Sequence, residues 1–252
     1  MAKDPPINYG NWVSTHLIIV PGAIGAILLL ASVPWRILII PAIAFLLMAG
    51  YFAYAHYLFA PGGKDVQGSI WSALVDHIDW DGRGKALDIG CGSGALSIRL
   101  AKKYPGATVT GIDQWGRQWE YSKTICERNA TIEGVGDRIV FQQASASRLP
   151  FQDESFDLVV SNLTFHEVKD APDKRMLLKE AFRVLRKGGC FAFQDLFLLK
   201  RTYGEIDALL SNIKGWGVTR AEFIDTHSAP FIPLALRLPF MVGTLGLFTG
   251  VK

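Results

Sequence analysis

Two long apolar runs open the chain. Trp12 to Trp35 contains no Asp, Glu, Lys or Arg, and Ile37 to Ala60 is likewise free of formal charge. Only Arg36 separates them. About 20 apolar residues carry a helix across a bilayer core, so each run is long enough to span, and so short a link forces an antiparallel hairpin with both ends on one side. Tyr9 and Trp12 at the start, Trp35 at the loop, and Tyr51, Tyr54, Tyr57 and Phe59 at the exit form the expected interfacial belt. Pro21 and Pro41 are expected to kink the helices, as membrane helices tolerate. A cleaved signal sequence from Lys3 through Leu17–Leu30 would leave the second run without a reason. A buried soluble hairpin would need core helices of this length without one charge, which are rare.

Pro61-Gly62-Gly63-Lys64 breaks the helix and begins a linker. Ile70, Trp71, Leu74, Val75 and Ile78 then fall on one stripe, predicting an amphipathic helix over Ser69–Ile78. From Lys85 the period alternates. Strands are predicted at 85–89, 108–112, 139–143, 156–161 and 190–195, with helices at 95–103, 115–129 and 173–185. Such alternation means a parallel sheet covered on both faces. A helix near 203–212, a sixth strand at 220–225 and an antiparallel seventh at 245–249 complete the pattern. The chain thus divides into a hairpin (1–60), a linker with an amphipathic helix (61–84) and an α/β domain (85–252).

Composition sharpens this only in places. The net charge of +3 is too small to argue for nucleic acid, although it suits an anionic membrane surface. Three cysteines at unrelated spacings make neither a zinc motif nor a disulfide framework, so no metal is expected and the domain reads as cytosol-facing.

The chemistry begins at LDIGCGSG, residues 87–94. Glycines between a strand and a helix permit positive φ and close ligand approach. Asp113 ends the second strand, where an acid can hold two ribose hydroxyls. Taken alone, Gly90, Gly92 and Ala95 also satisfy the dinucleotide pattern of nicotinamide oxidoreductases. The ordered set LDIGCGSG, GID (111–113), ASASRLPF (144–151), SFDLVVSN (155–162) and EAFRVLRKGG (180–189) resembles the class I S-adenosylmethionine-dependent methyltransferases, most closely their quinone, sterol and small-molecule branch. That resemblance implies a Rossmann-like, doubly wound seven-stranded sheet whose last strand is antiparallel, preceded here by the two-helix transmembrane hairpin. It also implies that Gly90, Gly92 and Gly94 cradle the methionine part of S-adenosylmethionine, that Asp88 acts near its ammonium, and that Asp113 holds the ribose. Gln114 and Trp115 follow Asp113, and Trp115 either covers the adenine face or simply packs its helix. Ser145 and Ala146 would meet the adenine edge, although the family's usual acid is replaced by Ser145.

Asn162, Thr164, His166 and Glu167 follow the fourth strand, and Asp195 ends the fifth. By resemblance these face the methyl group. His166 is the general-base candidate, because imidazole titrates near neutrality. The alternative is a structural histidine ordering its loop. Glu167 and Asp195 are partners for the substrate or for the histidine. Asn162 lacks a following Pro-Pro-aromatic, which argues against methylation of nucleic-acid bases. Between strands six and seven runs SAPFIPLALRLPFMVGT, long and apolar enough to roof an acceptor pocket and touch the membrane. The reading is a membrane-anchored enzyme moving a methyl group to a lipid, quinone, isoprenoid or other hydrophobic acceptor, with copies able to pair through the hairpin. A nicotinamide oxidoreductase and a non-catalytic cofactor-binding module are the alternatives.

Overall fold

The computed structural model describes residues 7–115 and 122–252. It divides into two compact units, Asn11–Ile70 and Trp71–Lys252 together with the residues up to Gly10.

The first unit is a helical hairpin, α1 (His16–Ala31) and α2 (Ile39–Phe59), joined through a 3-10 turn at Arg36–Leu38. The first helix is shorter than the sequence run suggests. Asn11 Nδ2 donates to the His56 carbonyl at 2.9 Å, and His56 Nδ1 lies 2.8 Å from the Val13 carbonyl. Those polar bonds hold the start of the run along the end of α2, outside any helix. At the other end Ser32 and Val33 turn back onto the Leu29 and Leu30 carbonyls, just before helix-blocking Pro34. At 1.5 Å per residue α1 reaches about 24 Å, short of a hydrocarbon core of about 30 Å. The expected pair of equal spans is therefore corrected. Among the described residues one helix, Arg36–Phe59, is long and apolar enough to cross a membrane, with a mean hydropathy of 2.2. Pro41 falls in the first turn of α2, where a missing N–H is harmless. Pro21 alone sits in a helix interior of this hairpin.

Small residues set the helix–helix distance. A Cβ on Gly25 would stand 2.8 Å from Leu46 Cγ, and Ala42 is fully buried. The outward faces stay apolar and bare: Ile27, Leu30, Val33, Ile37, Ile40 and Leu47 are 66% to 82% exposed. The amphipathic helix α3 (Val66–Asp76) starts three residues before its predicted position, because Asp65 Oδ1 accepts the Gly68 N–H at 3.2 Å.

The second unit carries seven strands: β1 (Gly84–Ile89), β2 (Ala107–Asp113), β3 (Ile139–Gln143), β4 (Phe156–Asn162), β5 (Leu185–Asp195), β6 (Arg220–Asp225) and β7 (Gly246–Val251). Their order is β3-β2-β1-β4-β5-β7-β6. β7 runs antiparallel to both neighbours, and the other pairings are parallel. The helices are α4 (Ala95–Lys103), α5 (Lys123–Ile132), α6 (Arg175–Val184), α7 (Lys200–Tyr203) and α8 (Ile206–Gly215). Leu87, Ile89, Val159, Phe191 and Phe193 point to one face and form a core with α6 and α8. Strand alternation turns Asp88, Val160, Asn162 and Gln194 to the other face.

Two predicted helices shift. The helix placed at 115–129 is seen from Lys123, capped by the Ser122 hydroxyl, and the residues 116–121 lie outside the described ones. Trp115 is not helical; its φ is 43°. The helix placed at 203–212 is two pieces, broken where Gly204 takes φ 79°.

Candidate cofactor and acceptor site

The turn after β1 is built by backbone geometry. Gly90, Gly92 and Gly94 take φ of 76°, 54° and 82°, values costly for a residue with a Cβ. The Gly90 and Cys91 amides both donate to the Ile112 carbonyl at 2.8 and 2.9 Å, which ties the turn to β2. Asp113 completes it. Its Oδ2 accepts the Gly92 N–H at 2.9 Å and its Oδ1 accepts the Trp115 N–H at 2.8 Å. The Trp115 indole folds back and donates to the Gly92 carbonyl at 2.9 Å, so this side chain lies on the turn rather than in a helix. Gln114 is exposed, and its carbonyl accepts from Gln143 Nε2 at 2.8 Å.

Asp88 is 1% exposed. Ser97 Oγ donates to its Oδ2 at 2.6 Å, while Oδ1 is buried without a partner. Burial pushes the carboxyl up to about 7, against the Ser97 bond. A bare, buried carboxylate oxygen is costly, about 1–3 kcal/mol or more for a charged group, and a bound cation would satisfy it. The turn with free-standing positive φ and this oxygen fit a ligand with a positively charged end.

At the edge of β3, Ser145 does not act alone. Its hydroxyl and that of Ser147 both donate to Asp170 Oδ2, at 3.1 and 2.6 Å. A carboxylate from another loop thus lies beside position 145. Ala146 is buried with the core on the α6 side.

Beyond β4 and β5 the expected acceptor residues do come together. His166 Nδ1 is 2.7 Å from Asp195 Oδ1, and Nε2 is 3.4 Å from Glu167 Oε1. Asp195 is fully buried and also accepts the Phe165 and Leu196 amides at 2.8 and 2.7 Å. Burial disfavours the imidazolium, but Asp195, by charge and hydrogen bond, and Glu167 outweigh it and raise His166 to about 10. That direction favours the imidazolium at neutral pH, where sequence alone suggests a titrating imidazole. The bond from His166 in turn lowers the Glu167 carboxyl. Thr164 Oγ1 donates to the Ile89 carbonyl at 3.2 Å and fills the space where a Gly90 Cβ would stand.

Three side chains escaped the sequence reading. Asn129 is fully buried and donates to the Ser93 carbonyl of the glycine turn at 3.1 Å and to the Asn8 carbonyl at 2.8 Å. Asp170 and Gln194 are the others. Gln194 had a legible signal, a polar residue inside the apolar strand FAFQD; Asn129 and Asp170 had none.

Residues 87–193 match the family model described as a methyltransferase domain. The chain is 36% identical over 146 residues to a 27-O-demethylrifamycin SV methyltransferase of Amycolatopsis mediterranei, covering 58% of this chain and 51% of that one. It is 28% identical over 200 residues to a ubiquinone/menaquinone biosynthesis C-methyltransferase of Desulfotalea psychrophila, covering 68% and 74%. A solved geranyl diphosphate C-methyltransferase from Streptomyces coelicolor shares the fold, with a TM-score of 0.58 at 14% identity over 78% of this chain and 87% of that one. The chain spans about half the length of the first relatives it matches, 51%, 41% and 51%. Residues 87–193 therefore match a methyltransferase domain, on a sheet that shares its fold with solved methyltransferases.

Proposed function

We propose that the protein transfers a methyl group from S-adenosylmethionine to a small apolar or lipid-like acceptor at a membrane. The bare buried oxygen of Asp88 beside the glycine turn carries the cofactor part of this reading. The apolar outer faces of the hairpin carry the membrane part.

When bound, the cofactor supplies a methyl group on a positively charged sulfur, open to in-line attack. Asp88 would pair with its ammonium, Gly90 to Gly94 would bring bare backbone to its amino-acid end, and Asp113 would hold the ribose. Ser145, held with Ser147 on Asp170, offers the acidic edge for the adenine amine. Orientation of two reactants and exclusion of water are the main catalytic terms, about 7–11 kcal/mol at best. His166, fixed by buried Asp195, would place its positive charge beside the acceptor. Glu167 steadies its other nitrogen. Relatives whose names specify a rifamycin precursor and a quinone support an acceptor of this oxygenated, largely apolar kind.

The hairpin lies in the bilayer, α2 crossing it and α1 reaching part of the way. In the connector before β7, Ile232 and Leu236 are buried while Leu234 and Phe240 stay 79% and 66% exposed, an apolar outer face suited to lipid. Two assays test the reading together. The full chain should stay with membranes through an alkaline carbonate wash and should bind S-adenosylhomocysteine but not NADH. Recovery in the wash rejects the anchor, and preference for NADH rejects the methyltransferase.

A further inference from the structure

Buried polar atoms nearly always find partners in a folded protein. Here several of those lacking one gather at one edge of the sheet. Gln194 is 1% exposed, and both its Oε1 and its Nε2 are buried without a hydrogen bond. Asn162 Oδ1 is bare as well, and Asn162 is the cross-strand partner of Gln194. Paired residues point to the same face, so the two amides stand side by side where β4 and β5 end. The unpartnered hydroxyl of Thr244 follows, in the approach to β7, with its carbonyl bonded to the Leu198 amide just past β5. Asp88 lies on that same face, one strand further toward the glycine turn. The row runs from the cofactor end of the sheet toward β7.

A structural role does not account for Gln194. It interrupts an apolar strand, spends neither amide atom on the fold, and a leucine of similar size would sit there at less cost. The assignment of oxygen and nitrogen does not matter, since both atoms are bare. We infer that Asn162, Gln194 and Thr244 form an acceptor subsite for a hydroxyl-bearing head group on the otherwise apolar acceptor. Gln194 donates to the hydroxyl oxygen through Nε2, and Gln194 Oε1 or Asn162 Oδ1 accepts the hydrogen bond that the hydroxyl donates. A pure hydrocarbon leaves all of these atoms unsatisfied and is excluded. This rests on the methyl-transfer reading above and narrows its substrate class.

The test uses the full chain in detergent, methyl-labelled S-adenosylmethionine and total membrane lipid extract, offered untreated or after acetylation of its hydroxyl groups. The unsubstituted protein should label the untreated extract and not the acetylated one. Gln194→Leu should keep its affinity for S-adenosylhomocysteine and melt no lower than the unsubstituted protein, yet lose at least about tenfold in labelling, the factor for one hydrogen-bonded group. Thr244→Val should show a smaller loss of the same kind. Equal labelling by Gln194→Leu, labelling of the acetylated extract, or a joint fall in melting temperature and cofactor affinity overturns the subsite. If the unsubstituted protein labels neither extract, the methyl-transfer reading fails and the subsite with it.

Discussion

At the scale of single residues, carboxylates decide the site, and each is set by what surrounds it. Asp113 is spent twice on backbone, through Gly92 and Trp115, so it shapes the turn as well as facing the ligand. Hydrogen bonds to a charged group are worth about 1.5–3 kcal/mol. Asp113→Ala should therefore weaken S-adenosylhomocysteine binding at least tenfold by titration calorimetry; an unchanged affinity would remove Asp113 from the site. His166 is raised from an ordinary value near 6.5 to about 10. A raised value means its ion pair with Asp195 stabilises the fold fully below about pH 6.5, and that this contribution fades as pH climbs toward 10. The full chain should lose more melting temperature between pH 6.5 and pH 9.5 than His166→Gln does. Methyl transfer should stay level between pH 7 and pH 9, since the imidazole keeps its proton there. A rate that instead climbs with a group titrating near 7, with the climb lost in His166→Gln, identifies a neutral imidazole base. The glycines, Asp88, Asp113 and the His166–Asp195 pair were legible in sequence because each sits beside a strand end. Asp170 was not, because its partner Ser145 is distant in the chain and meets it only after folding.

At the scale of elements, the alternating core was readable and the boundaries moved where polar side chains intervened. β1, β2, β3 and β4 fall close to the places that their apolar runs predict, and β1 and β4, largely buried on both faces, leave few alternatives. β5 begins at Leu185, five residues before its predicted start, because Leu185 turns extended straight after α6 and pairs with Phe156 before the register shifts. α1 lost its ends to Asn11, His56 and the turn before Pro34, none of which a hydropathy run reports. Within the hairpin, Gly25 permits the approach of α2. Gly25→Leu should separate the helices and raise protease sensitivity between residues 32 and 38 in detergent, while S-adenosylhomocysteine binding persists; an intact, resistant hairpin would show that the contact at Leu46 does not hold it.

At the scale of the whole molecule, two chemistries share one chain: a domain that positions a charged cofactor, and a helical pair whose outer surface is oil. The sheet carries its polar residues at the edge where the strands end, from Asp88 to His166 and Gln194, while the hairpin keeps apolar faces that no described neighbour covers. In the proposed reading such a chain takes its acceptor from the lipid phase. Supplying the detergent-solubilised chain with methyl-labelled S-adenosylmethionine and, separately, membrane and cytosolic extracts tests this directly. Label should enter the organic phase of the membrane extract and vanish with Asp113→Ala. Label confined to water-soluble or volatile products would contradict the lipid-phase acceptor and leave the hairpin as an address alone.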